Sequence, residues 1–497
     1  MSTISLLRNK ILEQAIRGEL VAQNSEDGHA SILIQQIQNK KQAMENDKVI
    51  KKSKKLPKIE ESEIPFPLAE GWEWVRLGEL VSKLGAGKTP LGGEKNYTDS
   101  GIKFIRSQNV KNEGLDVNGI AHIPEKINKT MQGSLVKKND ILLNITGASI
   151  GRSCLLPEDF DTANVNQHVA IIRLIEPDLR KYIHKCIISP FIQDEIMNVQ
   201  VGVSREGLSM DKLARFIIPI PPLAEQKRIV EKIEELFSLC DQWEQEVELQ
   251  QERIETLRNK VLGDALQGFL VPQSEEDESA DVLLEKIQAK KEELVKNKEI
   301  SKSKPLSPIE EKEKTYELPQ GWTWVKLGDL SKVIHYGYTA SATDKNTGVR
   351  MVRITDIQDD SVNWDNVPYC EIDNDSIKKY DLKDNDILIA RTGGTVGKSF
   401  IVEEAKYLSV FASYLIRVQL MDGVNAKYVK LFLDSNLYWK QIENQAKGTG
   451  QPNVNATGLS NLILPLPPIE EQHRIVEKVN TLWETINEIE NNIVKAK

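Results

Sequence analysis

Two glycine-rich stretches carry the residue types of a phosphate-binding loop. LGAGKTP begins at Leu84 and TGGTVGKS at Thr392, and both contain Gly-Lys followed by Thr or Ser. Such a cradle needs another glycine five residues earlier, so that successive backbone N–H groups turn toward phosphate, and a helix must follow. Ser82 and Thr392 stand where that glycine belongs, and Pro90 interrupts the first candidate helix. TGASIGRS at Thr146 matches the second stretch but has arginine in place of the lysine. These glycines therefore read as tight turns at strand ends. The histidines (29, 122, 168, 184, 335 and 473) and cysteines (154, 186, 240 and 370) fall at no metal-ligand spacing. His184 and Cys186 are two residues apart, and that step on a helix points to different faces. There is no Gly-x-Ser-x-Gly elbow. The Asn/Asp-Pro-Pro-aromatic run of an amino-methyltransferase is also missing, since the Pro-Pro pairs follow Ile220 and Leu466. Glu-x-Lys triplets sit on Lys-rich helices, where chance generates them. The residues point to a non-catalytic chain without a metal site of its own.

The 497 residues exceed the size at which one core keeps growing, so several domains are expected. A 40% hydrophobic and 28% charged composition suits a soluble globular protein. No apolar run is long enough for a membrane span, and the N-terminus lacks a signal-peptide pattern. With few, scattered cysteines, this places the chain in a reducing cytoplasm. The net charge is −9, but it is unevenly spread. Residues 75–220 hold 19 Lys+Arg against 16 Asp+Glu, and residues 325–466 hold 16 against 17. The acid is concentrated outside these two blocks, so any DNA binding belongs to the blocks.

What must position these residues is a repeat. Residues 8–80 align with 258–330 without a gap at a constant offset of 250, and about half the positions are identical. RNKILEQA pairs with RNKVLGDA, and GWEWVRLGEL with GWTWVKLGDL. A second alignment, at offset 246, pairs IPIPPLAEQKRIVEK from Ile218 with LPLPPIEEQHRIVEK from Leu464. Two copies of one unit of roughly 248 residues make up the chain. The alignment runs through both ends into the middle of a central element, so the termini of this pseudo-twofold ring are expected to lie close together.

That central element reads as a long helix. No proline occurs between Pro222 and Pro272, and Ile229, Ile233, Leu236, Cys240, Trp243, Val247, Ile254, Leu257 and Val261 follow heptad spacing around a polar Gln250. About 45 residues at 1.5 Å each give a rod of roughly 68 Å. The stripe recurs in Ile475, Val479, Leu482, Ile486, Ile489 and Ile493, and in Ile4, Leu7 and Ile11, which predicts helix–helix pairing. Shorter Lys-rich helices are expected at 31–47 and 281–298, followed by solvated Lys/Ser/Pro/Glu linkers. The two central blocks alternate short apolar runs with Gly, Asn and Asp turns, and helices are expected at 179–198 and 427–446. They read as compact mixed domains that diverge far more than the scaffold around them, which suggests two different recognition tasks.

The combination resembles the specificity subunit of type I restriction–modification enzymes. The resemblance rests on PIPPLAEQKRIVEKIEELFSLCD at Pro219, PLPPIEEQHRIVEKV at Pro465, the RNK stretches at Arg8 and Arg258, and LAEGWEWVRLGEL at Leu68, and it covers nearly the whole length. It implies an α+β fold with two target-recognition domains separated by long antiparallel coiled-coil helices in a pseudo-twofold cyclic repeat. The expected parts are a helical region and linker (1–70), a first recognition domain (71–222), a central helical region and linker (223–320), a second recognition domain (321–468) and a C-terminal helix (469–497). The resemblance implies that each recognition domain reads half of a split double-stranded DNA target, while the helices dock two methyltransferase subunits that restriction/translocase subunits can join. It implies no cofactor for this chain, S-adenosylmethionine, ATP and Mg being bound by those partners. DNA recognition needs polar side chains at groove edges and basic ones on phosphates. The candidates are Lys88, Arg106, Gln108, Asn109, Arg152 and Arg205 in the first domain, and Arg353, Thr355, Asp356, Arg391, Lys398, Gln451 and Asn453 in the second. The rival reading is a coiled-coil scaffold joining two protein-binding domains.

Overall fold

The computed structural model describes residues 2–198, 207–358, 360–446 and 454–496. It falls into two compact units that divide at Val247/Glu248, inside one helix, Leu223–Gln267. That helix is 45 residues long, as the heptad spacing predicts. The pair Pro221–Pro222 ahead of it can neither extend the preceding strand's ladder nor donate a helical hydrogen bond, so strand gives way to helix at this point.

In the first unit the helix Thr3–Arg17 runs antiparallel to the first part of the long helix. Ser2 caps its start by accepting from the Ser5 N–H, and Gly18, at φ 75°, closes its end in the left-handed conformation that favours glycine. Ile4, Ile11, Leu12 and Ile16 are buried in one core with Ile229, Ile233 and Cys240, and Arg8 bonds to Asp241 and Glu244. The second unit repeats this pairing, with Val261 and Leu262 packed with Ile475 and Val479, and Arg258 on Asn487 and Glu490. The stripe is not buried along its whole length: Leu7, Trp243, Leu257 and Ile489 stay exposed. A straight helix drifts about 20° per heptad from a 3.5-residue repeat, so a seam between two helices cannot cover every heptad position.

The repeated motif at the helix start is explained by its bonds. The Glu225 carboxylate accepts from Trp72 Nε1 at 3.0 Å and Gln23 Nε2 at 2.7 Å, and Arg228 forks onto Asp27 at 3.0 and 2.6 Å. In the second unit Glu471 accepts from Trp322 at 2.9 Å and Gln273 at 3.1 Å, and Arg474 forks onto Asp277 at 3.1 and 2.7 Å. Burial raises the carboxyl pKa of both glutamates, opposed by the bonds from tryptophan and glutamine. The linkers are exposed, yet the first is strapped down. Buried Arg76 donates to the carbonyls of Pro57 and Lys58 and to the Glu63 carboxylate.

Each unit builds two four-stranded sheets. In the first, Val81–Ala86, Val169–Leu174, Ile141–Asn144 and Ser153–Leu155 form an antiparallel sheet in that order. Ala121–Ile123, Ile102–Ile105, Ala163–Val165 and Leu135–Val136 form the other, with one parallel pair in its middle. A two-stranded ladder, Glu73–Arg76 on Ile217–Ile220, closes the block where it begins and ends. The second unit pairs Ser331–Tyr336, Leu415–Leu420, Ile387–Ala390 and Ser399–Ile401 in the same antiparallel order. Its other sheet also has a parallel pair, Arg350–Val352 with Ser409–Phe411, and Thr323–Lys326 on Ile463–Leu466 closes the block.

Two expectations need correction. The helix expected at 179–198 is two helices, Arg180–Ile187 and Pro190–Asn198, and that at 427–446 is Ala426–Asp434 and Asn436–Ala446. Pro190 has no N–H to continue the first helix. At Ser435 the backbone is extended, and its hydroxyl donates back to Phe432 and accepts from the Tyr438 N–H, ending one helix and capping the next.

Part of the acid sensitivity follows from one buried side chain. His184 sits beneath the first sheet with Nε2 donating to the Ser153 carbonyl at 3.2 Å, and burial pushes its pKa down to about 4. The folded state keeps it neutral while the unfolded chain protonates near 6.5, so stability is lost as pH falls from about 6.5 to about 4, by up to about 3 kcal/mol. Urea titrations at pH 7 and pH 4.5 are expected to show a smaller loss for His184→Gln than for the natural chain. An equal loss in both would assign the effect elsewhere.

Candidate nucleic-acid interface

In the first unit the chain crosses from one sheet to the other through Asn166–His168, and the candidate residues gather around this crossing. Gly87 backs onto it so closely that a Cβ would lie 2.2 Å from the carbonyl oxygens of Val165 and Asn166. That contact, rather than phosphate, accounts for the glycine of LGAGKTP. The next residue, Lys88, donates its N–H to the Val165 carbonyl at 3.0 Å, and Thr89 hydrogen-bonds to Gln167. The Asn166 N–H reaches the Ile105 carbonyl at 3.0 Å, which seats the turn 106–109 beside the crossing. Asn144 then ties that turn to the hairpin 145–152, donating to the Ser107 carbonyl at 2.8 Å and to Ser149 Oγ at 3.1 Å. His168 completes the edge, its carbonyl accepting from the Ile145 N–H and its ring bonded to the Thr146 hydroxyl.

Lys88, Gln108 and Arg152 are exposed on this edge, and none carries a side-chain hydrogen bond or ion pair among the described residues. Arg106 is held by the protein, donating to the Gly119 carbonyl at 3.3 Å and lying over the Tyr97 ring. Asn109 is 1% exposed. Its side chain accepts from the Arg106 N–H and donates to the Asp116 carbonyl, both at 3.0 Å, so its polar groups serve the turn. Arg205 lies outside the described residues.

The second unit keeps the backbone and changes the side chains. Gly337 approaches the Phe411 and Ala412 carbonyls to within 2.3 Å of a built Cβ, and Tyr338 donates to Phe411 where Lys88 donates to Val165. The Arg391 N–H bonds to the Tyr414 carbonyl as Ile145 bonds to His168. Arg353 and Asp356 satisfy one another through two side-chain bonds of 3.0 and 2.7 Å, which raises the arginine's pKa further. Thr355 and Lys398 are exposed and unpaired among the described residues. Ala390 replaces Asn144 here, leaving a small open cleft lined by Ile354, Lys398 and Phe400 between the two turns. Gln451 and Asn453 lie outside the described residues.

The edge offers cations for phosphates and exposed amide, hydroxyl and ring groups for base edges. Gln167, His168, Tyr336 and Tyr414 share it, although composition and motif reading passed over them. For Gln167, His168 and Tyr414 the signal was present in the alignment at offset 246, which sets Asn-Gln-His at 166–168 against Ala-Ser-Tyr at 412–414, each between two apolar runs, whereas Tyr336 stands opposite Ala86 at offset 250. Among the described residues no cluster of three or more His, Cys, Asp or Glu could hold a metal ion.

The sequence pattern of the family described as "Type I restriction modification DNA specificity domain" matches residues 69–252 and again residues 319–496. The type I restriction enzyme EcoAI specificity subunit of Escherichia coli is 28% identical over 99% of this chain and 91% of that protein. The EcoEI specificity subunit of the same organism is 27% identical over the same shares. A solved structure from work on complex assembly and conformational transition of the type I R-M system aligns with 87% of this chain and 95% of its own at a TM-score of 0.53. At 18% identity that is a likeness of fold.

Proposed function

The chain belongs to the type I restriction–modification DNA specificity family, with two copies of the family's domain, and from that premise we propose that it is a non-catalytic subunit that reads a bipartite double-stranded DNA target. One observation carries this reading. Both units hold their free edge with the same backbone bonds, Ile145 to His168 and Arg391 to Tyr414, yet present different side chains on it. A common frame with unlike surfaces suits two readers of one ligand class with different sequences. The helix-start motif, with the same internal bonds in each copy, suits two docking sites for one kind of partner, here two methyltransferase subunits. Restriction/translocase subunits can join them. S-adenosylmethionine, ATP and Mg belong to those partners.

Gel-shift titration with and without the methyltransferase tests this. The net charge is −9, and of the candidate cations that the structure describes only Lys88, Arg152, Arg391 and Lys398 carry no side-chain hydrogen bond or ion pair. Binding by the chain alone is expected to be weak and to tighten sharply with the partner. With three or four phosphates neutralised, a fourfold rise in salt is expected to weaken it roughly 40- to 150-fold. Salt-insensitive nanomolar binding by the chain alone would contradict the proposal. Absence of binding with the partner present would favour a protein-binding scaffold.

A further inference from the structure

Arg391 differs from the other cations of the interface in how it is held. Its N–H donates to the Tyr414 carbonyl at 2.9 Å, and its carbonyl accepts from the Val454 N–H at 3.3 Å, so the backbone is fixed on both sides. The guanidinium carbon lies 4.6 Å from the centre of the Tyr336 ring. That ring is itself pinned, because its hydroxyl accepts from the Ala456 N–H at 3.3 Å. Nε is buried without a partner, and among the described residues nothing accepts from the remaining guanidinium nitrogens. Beside it Tyr414 is 62% exposed and Tyr336 37% exposed. A guanidinium stacked on a fixed ring loses less freedom on binding than a free one, and its fork suits a ligand edge with two acceptors.

Phosphate and guanine both offer two acceptors, and the repeat distinguishes them. Any DNA half-site presents phosphates, so a phosphate contact made from a shared backbone position has reason to appear in both units. At the position of Arg391 the first unit has Ile145, with the same backbone bonds, and at those of Tyr336 and Tyr414 it has Ala86 and His168. The arginine, its ring and the exposed tyrosine are thus present together in one unit and absent together from the other. That is how a group behaves when it reads sequence. We propose that Arg391 reads a guanine through its O6 and N7 in the half-site of the second unit, with Tyr336 as the positioning residue that fixes the guanidinium. This rests on the DNA-reading function proposed above.

The test uses the full chain in complex with its methyltransferase and duplexes carrying the mapped target. Each guanine of the second unit's half-site is replaced in turn by 7-deazaguanine, which removes the N7 acceptor. At one position the natural complex is expected to lose about 10-fold or more in affinity. Arg391→Ala and Arg391→Met, neither of which has a side-chain donor to offer N7, are expected to bind the unmodified duplex more weakly and to show no further loss at that position. Tyr336→Phe, which keeps the ring and loses the pin, is expected to retain most of the N7 sensitivity, and Tyr336→Ala to lose most of it. A half-site without guanine, no N7-sensitive position, or equal sensitivity in the Arg391 variants would overturn the assignment while leaving the DNA-reading function intact. A natural complex with no sequence preference at all would overturn both.

Discussion

Replacing residues 73–220 with the corresponding block of another family member is expected to change one half of the methylated sequence and leave the other half as it was. The fold gives the reason. The block begins on Glu73–Arg76 and ends on Ile217–Ile220, and these strands pair with Val75 opposite Ile218. Both ends of the graft therefore leave the domain side by side, and the ladder between them travels with it. The second block has the same closure, Val325 opposite Leu464, so the reciprocal exchange is expected to change only the other half. The measurement is a methylation map of a host carrying each hybrid with its methyltransferase. If both halves change, or neither does, the two blocks are not independent readers.

The second large effect is on stability. Glu225→Ala is expected to cost about 2–3 kcal/mol in chemical denaturation, because it leaves the Trp72 Nε1–H and the Gln23 amide without their acceptor at a largely buried site. Glu225→Gln keeps an oxygen acceptor of similar size and is expected to cost less than half as much. Glu471→Ala is expected to match Glu225→Ala, since Trp322 and Gln273 stand in the same relation to it. A Glu225→Ala variant within about 0.5 kcal/mol of the natural chain would show that the repeated glutamate is kept for something other than this junction.

Much of the scaffold was legible because its signals are local or periodic. The heptad stripe located the 45-residue helix, and Pro-Pro followed by Glu-Gln marked where each copy starts it. Pro190 signals the break that the reading of 179–198 as one helix passed over, whereas the equivalent break at Ser435 has no proline to announce it. What the sequence did not disclose depends on non-local pairing. Asn109 looks like a surface loop residue until the chain returns through Asp116 and consumes its amide. Arg353 and Asp356 look like two candidate contacts, but three residues of turn bring them together as a pair. Tyr336 and Arg391 are remote in sequence and meet because Tyr336 pairs with Ile416 while Ala390 pairs with Leu415. A one-residue slip in either ladder would separate them, so no pattern along the chain could assign that contact.

The most direct test of the central claim is a base-resolution map of methylated positions in a host that carries this chain and its methyltransferase, compared with a host carrying the methyltransferase alone. Two readers on one chain predict a single motif made of two specified elements separated by a gap of fixed length in which any base is tolerated, seen only when the chain is present. A continuous motif without a gap, or the same methylation in both hosts, would contradict it.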